Sequence, residues 1–291
     1  MKKYAFVILA LATMAACQKA EEFVNVEPEV IPPAGAYTLT VKASKTVDSK
    51  ALSLDGSALN AHWEDGETVA VYQEGNYLGQ LEATADGTDG TKATLSGTLT
   101  VTGVTQGAEL MLLFPRADWN YTGQDGTIAT IGSTYDYASA TVTVASVDDV
   151  NNTITTTDGA DFVNQQSVYR FGFKVSGTPL SVKGFTLSSD HNKLVTSRSY
   201  SSGWVSTYGD LTVTPASATS DLLYVSLRNE NGNTTEADQF SFYAIGEDDA
   251  LYVGYKEIPG DKLGDGKFIS AKSIAVTKPS LAQSGTATVV W

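Results

Sequence analysis

Positive charge, histidine and cysteine are what this 291-residue sequence has little of. It holds 19 Lys and Arg against 33 Asp and Glu, two histidines and one cysteine, for a formal charge of −14. The shortage of cations excludes nucleic acid as a partner and electrostatic adhesion to anionic lipid, since both run on lysine and arginine. One cysteine excludes a disulfide framework and a zinc site built on Cys ligands. The histidines offer little chemistry: His62 sits beside Trp63 in a turn-like stretch, and His191 lies in a polar Ser/Asp/Asn loop. No Gly-x-Ser-x-Gly elbow accompanies the many serines, and there is no phosphate-cradling glycine loop or dinucleotide fingerprint. Paired carboxylates at Glu64/Glu67, Glu247/Asp248/Asp249 and Asp261/Asp265 read as solvated turns, because nothing around them would desolvate one partner. Asp86, Asp89, Asp261 and Asp265 could supply oxygens to Ca²⁺, although without an EF-hand register. The expectation is a protein with no cofactor and no enzymatic activity.

Long apolar runs are equally scarce. The only one lies at the start, where Lys2 and Lys3 precede the uncharged stretch 6–12 and Met14-Ala15-Ala16 leads into Cys17. The run is shorter than the ~20 apolar residues that a membrane-spanning helix needs, so it reads as a cleavable signal peptide, residues 1–16. Small residues immediately before the only cysteine resemble a lipobox, in which the thiol takes a diacylglycerol thioether and Cys17 becomes the first mature residue. The plainer reading is a secretory signal with an incidental cysteine. Without Lys2 and Lys3, 17 basic residues face 33 acidic ones, a formal charge of −16 that suits a soluble, self-repelling surface. The outer-membrane lipid, reached through acylated Cys17, is then the one anchor expected.

Residues 17–36 read as a lipidated tether: Glu21, Glu22, Glu27 and Glu29 with Pro28, Pro32 and Pro33 give charge and fixed spacing but little to bury. From Tyr37 the dominant period is two. Tyr37, Leu39 and Val41 alternate with Thr38, Thr40 and Lys42; Val69 and Val71, Phe171 and Phe173, Leu223 and Val225, Phe240 and Phe242, and Ile274 and Val276 repeat the pattern. Such runs are half-buried strands, punctuated here by turns at Asp55-Gly56, Gly75-Asn76, Asp86-Gly87, Asp125-Gly126 and Asn231-Gly232. No amphipathic helix is expected after the signal. The fold class is all-β, with two tandem β-sandwich domains at about residues 37–161 and 162–291.

Several stretches together resemble the fimbrillin-like lipoproteins, the subunits of type V pili of anaerobic Gram-negative bacteria. They are residues 51–56 with 59–72 around Trp63; Phe114-Pro115-Arg116 with 121–127 and Tyr135-Asp136-Tyr137-Ala138; residues 162–166 leading to Phe171; and 266–271. The acidic run after Cys17 also resembles the signal that sends such lipoproteins to the outer face. The resemblance implies transthyretin-like, Greek-key sandwiches at the cell surface, in a fimbrium, as a structural or adhesive subunit (shaft, tip or anchor). It also implies a homo- or hetero-polymer with other pilus subunits, assembled by strand exchange. A protease removes the first strand, here residues 37–43, and a neighbour's strand fills the groove. The cut would fall between Lys50 and Ala51. The family's cut usually follows arginine, and no arginine precedes Arg116, so either lysine (Lys45 or Lys50) is accepted or the subunit is never cut. The candidate donor is the C-terminal segment, with Ile274, Val276, Val289 and Trp291; alternatively these are ordinary edge strands.

The residues also have plainer roles. Trp63 reads as a core aromatic at a tight turn, and Tyr121, Tyr135 and Tyr137 as pins holding a long connection, their hydroxyls paired to main chain. A different function is a surface glycan-binding lipoprotein of a polysaccharide-uptake system. Trp119, Tyr121, Trp204 and Tyr208 would then stack on sugar rings, and a glycan or host receptor would be the partner. A carboxylate-based glycosidase is the third option.

Overall fold

The computed structural model describes residues 35–45, 53–55, 58–60, 62–87, 90–230 and 236–280, with main chain alone for 53–55 and 58–60. Expectations for Cys17, tether residues 17–34, Lys50, Ala51, Asp89, Val289 and Trp291 fall outside the described residues, while Gly35 and Ala36, expected at the end of the tether, open the first strand. The first elements are β1 (Gly35–Lys45), β2 (Ser53–Asp55), β3 (Ala58–Asn60), β4 (Thr68–Gln73), β5 (Asn76–Asp86) and β6 (Lys92–Val101). They are followed by β7 (Glu109–Phe114), β8 (Asp118–Asn120), α1 (Ile128–Thr134), β9 (Ala138–Asp148), β10 (Thr153–Thr156) and β11 (Ala160–Asn164). Next come β12 (Ser167–Val175), β13 (Thr178–Pro179), β14 (Val182–Ser189), β15 (Val195–Tyr200), β16 (Trp204–Tyr208) and β17 (Leu211–Val213). The last are β18 (Leu223–Leu227), β19 (Asp238–Gly246), β20 (Leu251–Ile258), α2 (Gly260–Leu263) and β21 (Phe268–Thr277).

The chain is all-β, as its alternating sequence implies. In β1 every second residue from Tyr37 to Lys45 is buried, the period of a pleated strand with one face on a core. Turn chemistry ties the strands together. Glu74 and Gly75, both at positive φ (47° and 85°), join β4 to β5, the conformation that a two-residue hairpin loop requires. At Gly75 a side chain would also sit 2.4 Å from the Ser201 carbonyl oxygen, so only glycine fits. The helices are short. α1 is capped by Thr127, which accepts from the Thr130 N–H, and it buries only Ile131, too weak an amphipathic signal to read from sequence.

The first sheet runs β10-β1-β11-β9-β7-β4-β5-β6, and β1 also pairs with β6. The path therefore returns on itself and closes a barrel around Leu39, Val69, Val71, Leu81, Leu95, Leu110 and Phe162. The second sheet is open, ordered β13-β12-β21-β20-β19-β14-β17, with β18 also on β12. Its core is aromatic: Phe171 and Phe242 meet edge-to-face with centroids 4.9 Å apart, and Phe173 and Phe185 lie 5.0 Å apart. The sequence boundary at 161/162 falls inside β11, where Phe162 belongs to the first core. The change of sheet comes at Gln165 and Gln166, between β11 and β12.

A third, three-stranded sheet, β16-β15-β8, joins the two halves, because β8 leaves the first half to pair with β15. The connection that carries β8 is held by its tyrosines. Tyr121 donates to the Gln165 carbonyl (3.0 Å), Tyr135 to that of Thr122 (2.8 Å) and Tyr137 to that of Asn120 (2.7 Å). Buried Gln124 adds Nε2 bonds to the carbonyls of Tyr121 and Ser226 (2.7 and 2.6 Å) and accepts from the Ser226 N–H. The Arg198 guanidinium stacks 4.0 Å above the Trp204 ring and donates to Gln165 Oε1 at 2.9 Å. Arg228 reaches both the Gln165 carbonyl, at 3.2 Å, and Asp265. Burial raises the Asp265 carboxyl pKa, against the opposing pull of Arg228.

Burial holds the hydroxyls of Tyr121 and Tyr169 well above the ordinary tyrosine value. A pKa raised by folding confers stability below the unfolded value, about 10, and that stability is lost as pH rises past it. The urea midpoint is therefore expected to fall steeply above pH ~10. The drop should be smaller in Tyr121→Phe, with tyrosinate absorbance at 295 nm appearing only as the chain unfolds.

Candidate functional site

The site is β1 and the groove it fills. On one edge β1 runs antiparallel to β6 through ten consecutive pairs, from Gly35↔Val101 to Ser44↔Lys92. On the other it runs parallel to β10 at Thr38 and Leu39, and parallel to β11 from Ala43 to Lys45. The loop between β10 and β11 passes close to β1: a side chain at Gly159 would lie 2.8 Å from the Lys42 carbonyl oxygen. Both edges of β1 are thus paired and one of its faces lies in a core, so it leaves no free edge. Each large apolar side chain so buried contributes ~1.5–3 kcal/mol, and Tyr37, Leu39 and Val41 are at most 3% exposed.

Both ends of β1 are fastened. Near its start the Tyr37 hydroxyl donates to Asp149 Oδ1 at 2.6 Å, a bond to a carboxylate that raises the Tyr37 pKa. At its end the Lys45 side chain is wholly buried. Its Nζ lies 4.1 Å from the Trp63 ring centroid and 3.9 Å from that of Phe114. It donates to the His62 carbonyl and to Glu67 Oε2, both at 3.2 Å, and lies 4.0 Å from Asp136 Oδ2. A buried ammonium is tolerated only where carboxylates and ring faces replace its water, and both are supplied here. The cluster also fixes register. A one-residue slip of β1 would bring Ser44 to this cage and turn Lys45 outward. On the outer face Lys42 pairs with Asp86 (3.1 Å), Thr40 with Ser96 (2.9 Å) and Ser44 with Asp161.

The sequence reading treated Lys45 as a cleavage position alongside Lys50. Burial corrects this: a protease cannot reach a side chain with no exposed surface, enclosed between two rings. Trp63, expected in the core, is 2% exposed and meets Phe114 and Phe162 edge-on at 5.5 and 5.2 Å.

Ile274 and Val276, expected in a donor strand, are each 1% exposed inside β21. β21 pairs in parallel with β12 and antiparallel with β20. A strand so placed can be handed to a neighbour only by opening its own core. Lys278 follows and pairs with Asp248 at 2.7 Å, which lowers the Asp248 pKa.

The sugar-stacking platform is also corrected. Trp119 and Tyr121 are 1% and 0% exposed, packed against Tyr137. Trp204 lies part-buried over Trp119 at 4.3 Å, and the Tyr208 hydroxyl is bound by Glu230. These four rings present no shared open face.

The acidic residues considered for Ca²⁺ are held apart by separate cations: Asp86 by Lys42, Asp261 by Lys262 and Asp265 by Arg228. Among the described residues no cluster of three or more His, Cys, Asp or Glu forms. His191 Nδ1 lies 3.3 Å from Asp238 Oδ1, and Ser189 donates to the same carboxylate at 2.6 Å. The hydroxyl thus points at the acid rather than at the imidazole, the reverse of a nucleophile–base pair.

No family model matches the chain, and no curated protein matches it. Solved structures similar to it include a cell adhesion candidate from Bacteroides ovatus, 12% identical, with a TM-score of 0.43 and coverage of 84% of this chain and 97% of that one. A fimbrial assembly protein from Parabacteroides distasonis is 10% identical, with a TM-score of 0.42 and coverage of 82% and 91%. The tip fimbrial protein Mfa3 from Porphyromonas gingivalis, with a C-terminal truncation, is 11% identical, with a TM-score of 0.35 and coverage of 79% and 86%.

Lys45→Ala is expected to cost ~3–5 kcal/mol, because it leaves buried carboxylates without their cation. Thr40→Ala, on the outer face of the same strand, should stay within ~0.5 kcal/mol of the parent. Guanidinium unfolding of the two variants, followed by tryptophan fluorescence, measures both.

Proposed function

We propose that this chain is a fimbrillin-like subunit of a cell-surface pilus, a structural or adhesive protein that polymerises by donor-strand exchange and not by any catalytic step. The observation that carries the reading is the position of β1. It closes the first barrel, is paired on both edges, and is covalently followed by the segment that contains Lys50. Cleavage between Lys50 and Ala51 would release β1 and leave a long apolar groove bordered by the free edges of β6 and of β10 and β11. Water can hydrate such edges but not the apolar floor, so an incoming extended strand gains burial along with a ladder. With Ile274 and Val276 committed to their own core, the donor in this reading is the terminal segment carrying Val289 and Trp291. Its alternation of Thr286, Thr288 and Val290 with Ala287, Val289 and Trp291 suits a one-sided groove.

Cys17 supports the anchoring half of the proposal. Acylated after removal of residues 1–16, it would tie the chain to the outer membrane, with residues 17–34 as tether and two sandwich domains, divided near Gln165 and Gln166, held outside the cell. A subunit retained in this form keeps β1 and serves as an anchor. A subunit cut before Ala51 joins the fibre as shaft or tip.

Deleting residues 280–291 is expected to abolish the ladder of polymers seen when unboiled cell extracts are run on a gel, while the monomer keeps its unfolding midpoint. Polymers that persist after the deletion would reject the donor assignment. N-terminal sequencing of protein recovered from cells reads the processing directly: a blocked, lipidated Cys17 marks the retained form and Ala51 the activated one.

A further inference from the structure

The second sheet is not paired along its whole length. β20 and β21 are neighbours, yet only Val253↔Thr277 and Gly254↔Val276 join them. Beyond those pairs β20 stays with β19 as far as Ile258, and β21 stays with β12 back to Phe268. Between the pairs Phe171↔Ala271 and Phe173↔Ile274, β21 spends one residue more than β12, a bulge that bends it away from β20. The two strands splay, and among the described residues no strand fills the wedge. A cleft of about 390 Å³ lies there, lined from β20 by Lys256, Glu257 and Ile258, from α2 by Lys262, and from β21 by Ile269, Ala271, Lys272 and Ile274.

Register states what the walls present. Lys256 stands opposite Phe240, which is fully buried, so Lys256 holds a core-facing position and is nevertheless exposed. Ile269 and Ala271 lie opposite the core residues Tyr169 and Phe171 but are only part-buried. The floor is thus apolar and alternating, and two main-chain edges face each other across it. The rim carries three lysines, Lys256, Lys262 and Lys272, against one carboxylate, Glu257, and among the described residues Lys256 and Lys272 make no ion pair. Unpaired edges recruit an extended peptide, and unpaired lysines select carboxylates on it.

We propose that the wedge between β20 and β21 is an acceptor slot for an extended acidic peptide strand, apolar at alternate positions and contributed by another polypeptide. It is separate from the β1 groove and does not depend on the release of β1. The test titrates a labelled, end-blocked peptide, Glu and Val alternating over six residues, into the intact chain and follows fluorescence anisotropy. A second peptide carries Lys in place of Glu. Saturable binding of the acidic peptide alone is expected, weakened at least tenfold in Lys256→Glu/Lys272→Glu. That variant should instead take up the lysine peptide, which a misfolded chain would not do. Amide exchange should slow at residues 255–258 and 269–273 on binding. Equal binding of both peptides, an unchanged affinity in the charge-reversed variant, or protection at the edges of β1 instead would each overturn the proposal. Binding that appears only after removal of residues 281–291 would assign the slot to the chain's own end and overturn it as well.

Discussion

The first half of this molecule depends on one strand being paired on both edges. Without β1, the path β11-β9-β7-β4-β5-β6 is an open sheet with two free edges and an apolar face. With it, the same strands close on themselves and the edges disappear, which full closure alone achieves. The hydrophobic residues of β1 fill the centre, but the closure is a backbone event. Any sequence with the right alternation could make the ladder, so what identifies β1 as the occupant must lie in its side chains at particular positions.

Those positions are the two ends. Tyr37 donates to the exposed carboxylate of Asp149, whereas Lys45 places its ammonium at the half-buried carboxylate of Glu67, between two aromatic faces. Apolar residues tolerate exchange for one another, whereas a buried cation has one acceptable location. The strand thus combines a permissive middle with a demanding terminus. The other half of the chain is organised differently. An aromatic core lies behind an open sheet, tied to the barrel by the tyrosines and arginines around Gln165.

Much of this was legible in the sequence and some was not, for physical reasons. Alternation in residues 37–43, 171–175, 223–227 and 240–242 marks strands because a pleat imposes period two whatever the neighbours are. The tyrosines at 121, 135 and 137 could be read as pins because a buried hydroxyl must find a partner. The pairing of β1 with β6, β10 and β11 leaves no local trace, since the partners lie 48 to 117 residues away. Lys45 was misread because charge ordinarily signals solvent, and its cage is assembled from Trp63, Glu67, Phe114 and Asp136, scattered along the chain. Trp119 was misread for the opposite reason: large aromatics serve cores and platforms alike, and only the surrounding packing distinguishes them. The seven residues of α1 bury a single side chain and offer no period to detect.

The ladder geometry of β1 has a mechanical consequence. Inter-strand hydrogen bonds lie across the strand direction, so a pull along the strand loads the ten antiparallel pairs with β6 together, in shear. A pull across the sheet would peel them one at a time. Any occupant of this groove held in the same register would inherit that resistance, and the joint would be strongest along the axis of the strand it grips.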